Sequence, residues 1–469
     1  MRSILFPDRS FWKDVFFLTF PIAIQNMSAS LLALLDVSII KSLGDETVGA
    51  VSLANQFSFV TNNMTFGITS GASIFLARYF GEKNPDKVKE TFSLSLFFSL
   101  SLNLVVSLVC MLFPGCAMTV FTDKAALISL GSDYLRIVGF SYVLMAANTC
   151  MTALFRSANK ALYVLIPTFL SLSFKTILNY IFIYGAFGVA PLGIRGAALS
   201  TLIARTVEFL LYLILYHYCV PKDYRLSFVK RGRLTFEKCK NFLRSTYAVI
   251  LNESLWAIGL GLFSVIFGRM QVEEISALNI AKTLEELFNS LFYGVGIGAV
   301  VVIGRNIGAQ DFEKAKLSAK RYIVLGAEIG LLILVLMAGS RNIIVDSFFS
   351  GLSVKTMEIA KILILEFALL MPFRSTASAI IMGLMRAGGT TQKAMLYDTL
   401  PIYLYSLPVG ILLGLVLKLP IVVVLPAMYA KRIIKAVLSL VTALRGKWYQ
   451  KELMREQIKQ RNNQSIGAI

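Results

Sequence analysis

Long uncharged runs alternate along this chain with short basic segments. Uncharged stretches extend from Val15 to Leu35, Thr47 to Ala77, Thr91 to Thr122, Ile137 to Phe155, Thr176 to Ile194, Leu287 to Gly304 and Thr399 to Leu417. Most of them reach the roughly 18 to 20 residues that a helix needs to cross the hydrocarbon of a bilayer. The remaining apolar stretches carry a few charges each. Together they predict twelve helices, near 14–40, 48–77, 91–114, 127–156, 161–185, 192–218, 245–268, 275–304, 321–340, 356–385, 394–417 and 419–444. The class is therefore all-α integral membrane, with no soluble domain.

Composition supports a lipid solvent: 56% of the 469 residues are hydrophobic, 16% are charged, and the mean hydropathy is +0.70. The net charge of +19 raises the question of nucleic acid, and its distribution answers it. If the N-terminus is inside, the inner segments hold Arg78, Lys83, Lys87 and Lys89, then Arg156 and Lys160, then eight basic residues from Lys222 to Arg244. Later inner segments hold Arg305, Lys314, Lys316, Lys320 and Arg321, then Arg386 and Lys393, then six basic residues from Arg445 to Arg461. Outer loops are nearly bare, with Lys41, Lys124, Arg269, Arg341, Lys355 and Lys418 as the main exceptions. Every second loop is basic, the pattern that marks cytoplasmic loops. A multi-pass protein of the cell (plasma or inner) membrane with both termini cytoplasmic is expected, and nucleic acid is excluded as a partner.

Cys110, Cys116, Cys150, Cys219 and Cys239 show no paired spacing, so neither a disulfide framework nor a metal site is indicated. Asp8 and Lys13 precede the first apolar run, which has no small-residue cleavage site and reads as a retained span.

A shift of 227 residues lays Phe66, Gly67, Gly71, Ala72, Arg78, Gly81, Asp86, Lys87 and Lys89 on Tyr293, Gly294, Gly298, Ala299, Arg305, Gly308, Glu313, Lys314 and Lys316 without a gap. Farther on, Leu154, Arg156 and Ser157 face Leu384, Arg386 and Ala387 at a shift of 230. Each half holds six spans, an even number. The halves therefore share one orientation, related by an axis along the membrane normal, as in alternating-access transporters. The boundaries are 1–220 for a first lobe, 221–244 for a basic linker, 245–445 for a second lobe and 446–469 for a basic tail. Gly67 and Gly71, like Gly294 and Gly298, stand four apart on one helix face, where neighbouring helices can approach closely. Pro21, Pro372, Pro401 and Pro408 interrupt helices, as hinge, cavity edge or static kink.

The chain resembles the multidrug and toxic compound extrusion family of cation-coupled efflux transporters. The resemblance rests on Pro21 with Asp36, on Gly44 to Ala54 (GDETVGAVSLA) and on Ala77-Arg78-Tyr79-Phe80-Gly81. It continues in Leu178 to Gly185 (LNYIFIYG), in Gly193 to Ala198 (GIRGAA) with Thr201, and in Leu384 to Thr390 (LMRAGGT). It implies a V-shaped pair of six-helix lobes around a cavity, exporting organic compounds against proton or sodium entry.

Intramembrane acids are the default candidates for coupling, because a carboxylate in hydrocarbon must be paired or protonated. Asp36 is one, or else the wetted outer end of the first span. By resemblance its partners in a first-lobe cation site are Lys175, Asn179 and Thr201, although family members tend to carry asparagine at the first of these positions and aspartate at the second. We expect Lys175, one helical turn from Asn179, to pair with Asp36 and alter or silence that site. In the second half Glu253 stands opposite Asn26 of the first, and Lys282, Glu285 and Glu286 follow. Lys282 and Glu286 have the spacing to pair and to leave Glu285 on another face. Glu253 matches the glutamate of the family's second-lobe site, but Ser375 occupies the place of its aspartate. Glu285, Glu286, or Glu366 beside Arg374 can substitute, unless these are structural ion pairs. Coupling chemistry is expected mainly in the second half, with Asp36, Glu253, Glu285 and Glu286 as its candidates.

The 34 phenylalanines, 18 tyrosines and 16 methionines suit lipophilic organic cations, and equally suit lipid contact and packing. The expected partners are the bilayer, a small organic substrate and the transported proton or sodium ion, with a monomeric protein and no cofactor. A flippase for a lipid-linked saccharide or phospholipid is the alternative; it would want cations such as Lys175, Lys282 and Arg374 for phosphate. An enzyme lacks support: the lone histidine, His217, sits between tyrosines at a span end, and no P-loop is present.

Overall fold

The computed structural model describes residues 9–28, 39, 45–122, 124–186, 188, 190–226, 235–348 and 352–449. Twelve helices order these residues. Helix α1 opens as Arg9–Asp14, widens into a π segment at Val15–Thr19 and continues through 20–28. Then come α2 (Asp45–Gly81), α3 (Pro85–Leu112), α4 (Ala125–Ser157), α5 (Ala161–Tyr184) and α6 (Ile194–Cys219). The second half repeats them as α7 (Phe236–Phe267), α8 (Val272–Gly308) and α9 (Phe312–Phe348). Helix α10 runs from Val354–Ser378 into a π segment at Ala379–Met385. Helix α11 starts at Thr391–Leu400 and carries two π segments, Pro401–Ser406 and Ile411–Val416. Helix α12 joins Ile421–Tyr429 to Lys431–Leu444.

Local chemistry sets the ends. Asn84 accepts a hydrogen bond from Lys87 N ahead of Pro85, starting α3. Glu274 closes a capping box with Gln271 at the start of α8 and also accepts from Ile421 N at 2.9 Å, tying the openings of α8 and α12 together. Gly185 ends α5 in the left-handed region. Pro21, Pro372, Pro401 and Pro408 lie within continuous helices rather than interrupting them. The backbone carries a π segment just before Pro21 and another starting at Pro401, which absorbs the hydrogen bond that proline cannot donate. After α12, Trp448 is buried, and its carbonyl accepts from Thr390 Oγ1 at 2.8 Å, holding the chain against the turn before α11.

Eight of the described helices are long and apolar enough to cross a membrane. Helix α2 is more polar, and its Thr61, Thr65 and Thr69 satisfy their hydroxyls on carbonyls one turn back. Helix α12 is apolar outside and charged inside: Val437, Leu438, Val441 and Leu444 are exposed while Lys431, Arg432 and Lys435 are buried. That polarity suits lipid and would be inverted in water.

By packing, the chain divides into two compact units, one of Met1–Ala23, Ala77–Lys83 and Leu255–Ile469, the other of Ile24–Leu76 and Asn84–Ser254. These units do not coincide with lobes drawn at 1–220 and 245–445. The reason is an exchange between the halves. In the first unit α1 lies on α8, and a methyl at Gly298 would meet Thr19 Cβ at 3.2 Å. In the second, α7 lies on α2, and a methyl at Gly71 would meet Thr246 Cβ at 2.8 Å. The 227-residue shift carries Thr19 to Thr246 and Gly71 to Gly298, so the two contacts are copies. Within the first unit the ends of α2 and α8 also meet reciprocally: Gly81 lies against the Arg305 carbonyl and Gly308 against the Arg78 carbonyl.

Any side chain at Gly81 or Gly308 must displace backbone. Gly81→Ala and Gly308→Ala are each expected to cost about 1 to 3 kcal/mol, read as a lower melting temperature in detergent. Gly261→Ala, whose methyl enters open space, should be neutral or stabilising.

Candidate functional site

The first unit assembles a buried ionic cluster from three helices. Glu285 of α8 is 5% exposed, and its Oε1 accepts from both Arg374 of α10 and Arg432 of α12. Ion pairing in low dielectric is worth its desolvation cost only when the geometry supplies such charge-assisted hydrogen bonds. Arg432 Nη1 is buried and finds no partner among the described residues. Lys431, also 5% exposed, has no carboxylate partner among the described residues; it rests 3.9 Å above the Phe263 ring and 5.2 Å from that of Tyr429. Aromatic faces hold the other cations too: Arg374 over Phe292 at 4.8 Å, Arg432 over Tyr429 at 4.5 Å and Lys282 over Phe267 at 5.4 Å. One turn along α12, Lys435 pairs with Asp398 of α11 at 2.6 Å.

The sequence spacing pointed to a different arrangement here. The Lys282–Glu286 pair does not form; Glu285 is the paired acid and Glu286 is exposed. Arg374 serves Glu285 rather than Glu366, one of whose carboxylate oxygens is buried without a hydrogen bond among the described residues. Ser375, in the place of an expected aspartate, is fully buried, and its Oγ has no partner among the described residues. Arg432, Lys431 and Lys435 were missed, although three cations within five residues of a largely apolar terminal span were a visible signal.

Glu253 lies in the second unit, buried on α7 beside Gly67 of α2. Asn179 of α5 is buried there and accepts from Ser200 Oγ of α6; Thr201 turns back to the Ala197 carbonyl at 3.0 Å. Ser200, not Thr201, is therefore the α6 hydroxyl on Asn179. Lys175 is half-buried on the same helix, and Asp36 lies outside the described residues. The unit also contains a buried polar chain that spacing did not expose. Glu208 of α6 accepts from Asn148 of α4 at 2.8 Å and pairs with Arg205 at 3.1 Å, while Gln25 of α1 bonds Thr168 of α5 at 2.8 Å and accepts from Arg156. Among the described residues no group of acids, histidines and cysteines is placed to hold a metal ion.

The MatE family model matches this chain twice, over residues 21–181 and 249–414, once in each half of the internal repeat. The chain belongs to the MatE family of transporters. A MatE relative, the probable multidrug resistance protein YoeA of Bacillus subtilis, is 24% identical over 88% of this chain and 89% of its own length. The probable multidrug resistance protein NorM of Thermotoga maritima is 21% identical over 96% of each chain. Among solved structures, the eukaryotic MATE transporter AtDTX14 superposes with a TM-score of 0.82 at 17% identity, covering 95% of this chain and 98% of the other. An outward-facing multidrug resistance MATE transporter gives 0.81 at 18% identity, over 94% and 96%. These likenesses establish the twelve-helix MatE fold and a multi-pass membrane protein that is not an enzyme.

Removing Glu285 leaves two guanidiniums buried without their shared acceptor. Glu285→Ala is expected to cost about 3 to 5 kcal/mol, whereas Glu286→Ala, at an exposed position with no ion pair among the described residues, should change the melting temperature little. Thermal unfolding of the detergent-purified variants compares them.

Proposed function

We propose that the chain is a secondary active exporter of small organic compounds, working by alternating access between its two six-helix halves and driven by inward proton or sodium movement. The observation that carries this reading is a carboxylate, Glu285, buried with its counter-charges in a bundle that is apolar outside, on a MatE frame. The relatives, probable multidrug resistance proteins, agree with export of more than one compound. We place the protein in the cell membrane with both termini cytoplasmic, because every second loop is basic, and read it as a monomer.

In this reading Glu253, Glu285 and Glu286 are the coupling carboxylates of the second half, and Asp36 with Lys175, Asn179 and Thr201 forms an altered first-half site. A carboxylate in low dielectric gains a proton or sodium ion in one state and releases it in another, and coupling needs only that the two states differ. Around Glu285 the aromatic rings already hold the protein's own cations, so lipophilic cations would be held elsewhere. The flippase alternative keeps one specific support, the excess of basic groups at that cluster. A solved structure similar to this chain, from Pyrococcus furiosus, with a TM-score of 0.80 over 95% of this chain and 97% of the other at 19% identity, is described as having a binding pocket of reversed polarity that suggests a different function.

Ethidium counterflow in proteoliposomes, under separate proton and sodium gradients, tests the reading: dye should track one gradient, and movement that tracks neither overturns it in favour of the flippase. Glu253→Gln should abolish gradient-driven export while leaving ethidium binding measurable; export retained by this variant removes Glu253 from coupling. Lys175→Asn should change the pH or sodium dependence of transport. An unchanged profile refutes the pairing with Asp36.

A further inference from the structure

The ionic cluster is short of negative charge. Arg374 and Arg432 divide a single oxygen of Glu285 between them. Lys431 stands beside them against aromatic rings, and one nitrogen of Arg432 is buried with no acceptor among the described residues. With Lys282, Lys435, the exposed Glu286 and Asp398 included, five cations stand with three carboxylates. An uncompensated guanidinium or ammonium in low dielectric is among the costliest arrangements a bundle can hold, and it persists where an anion completes it. Protein donors are here in excess of protein acceptors, and the missing partner is an acceptor.

We propose that α8, α10 and α12 form an oxyanion site, in which the carboxylate, sulfonate or phosphate of an amphiphilic compound is held by Arg432 Nη1, Arg374 and Lys431, its apolar body lying among Phe263, Phe292 and Phe367. Planar guanidinium forks match the geometry of such groups, and the lysine adds a point charge. Arg374 is the member that reaches the edge of the cluster: its side chain is 19% exposed against 6% for Arg432. The ligand therefore enters past Arg374 and competes with Glu285 for the two arginines. Such competition links ligand occupancy to the charge state of Glu285, because protonating that acid frees both guanidiniums for the ligand. This deepens the transporter reading and rests on it for passage across the membrane; binding itself does not depend on it.

The test is binding to the full-length, detergent-purified protein with no gradient present. The probes are 2-naphthoate, its cationic counterpart 2-naphthylmethylammonium, and dodecyl phosphate as a lipid-like phosphate, followed by thermal shift and equilibrium dialysis. The anionic probes should bind and the ammonium should not compete with them. Arg432→Gln and Lys431→Gln should each weaken anion binding about tenfold or more. Glu285→Gln should tighten it, because it removes the competing carboxylate while keeping an acceptor. That opposite sign protects the test against variants that merely fold poorly. Preference for naphthoate identifies a soluble organic anion and preference for dodecyl phosphate a lipid headgroup, and either upholds the site. Binding of the ammonium alone, or anion binding that is indifferent to Arg432→Gln and unimproved by Glu285→Gln, overturns it. Failure of both ethidium and 2-naphthoate to move with a proton or sodium gradient while anion binding survives would instead refute the exporter reading and leave the site standing.

Discussion

Two glycines, Gly81 and Gly308, allow the backbones of α2 and α8 to touch through the carbonyls of Arg305 and Arg78, and this reciprocal contact organises the chain. Side chains normally keep helices about 8 to 10 Å apart. Where that cushion is missing, the ends of the two helices are held in one register within their unit. The same logic operates one layer out, where α1 closes on Gly298 and α7 on Gly71 through a threonine at equivalent positions. In lipid, where apolar burial gives helices no reason to associate, such close approaches and polar bonds supply the attraction.

On that shared frame the halves have diverged in charge. The first-half unit satisfies its interior mostly with neutral amides and hydroxyls, such as Gln25 on Thr168, Asn103 on Thr65 and Asn179 under Ser200, with Glu208 held by Asn148 and Arg205. The other unit concentrates full charges on α8, α10, α11 and α12. Hydrogen-bonded neutral groups hold a bundle together at little electrostatic risk, whereas buried ions make its stability depend on which counter-charges are present. Glu285, as the shared acceptor, is where that dependence is concentrated.

The helices were legible because their cause is local. Stretches without charge, basic loops and a 227-residue self-similarity locate the helices to within several residues, apart from ends such as those of α7 and α9 that run well beyond the apolar run; the far end of the first, expected near 40, lies outside the described residues. The candidate acids were legible for the same reason, as charges in hydrocarbon. Their partners were not. Spacing of four residues offered Lys282 to Glu286, but two arginines from helices 89 and 147 residues away along the chain took Glu285 instead. The exchange of α1 and α7 between units was equally hidden, since a repeat shows that halves are alike and not which half a helix packs against. Spacing also could not distinguish Ser200 from Thr201 as the neighbour of Asn179.

The π segment at the end of α10 bears on how the two halves came to differ in length. The register of the repeat is 227 residues at Arg78 and Arg305 but 230 at Arg156 and Arg386, so the second half is three residues longer between those arginines. Helix α4, the counterpart of α10, is α-helical throughout, whereas α10 closes with Ala379–Met385 in the wider winding. A π turn lodges an additional residue without lengthening a loop or rotating the next turn of helix out of place. Part of the surplus is thus stored inside a membrane helix just before Arg386, where it leaves that arginine, 2% exposed, in its buried setting. A difference in length between the halves is held there as helix geometry, and alignments of the halves that admit gaps only in loops will misplace it.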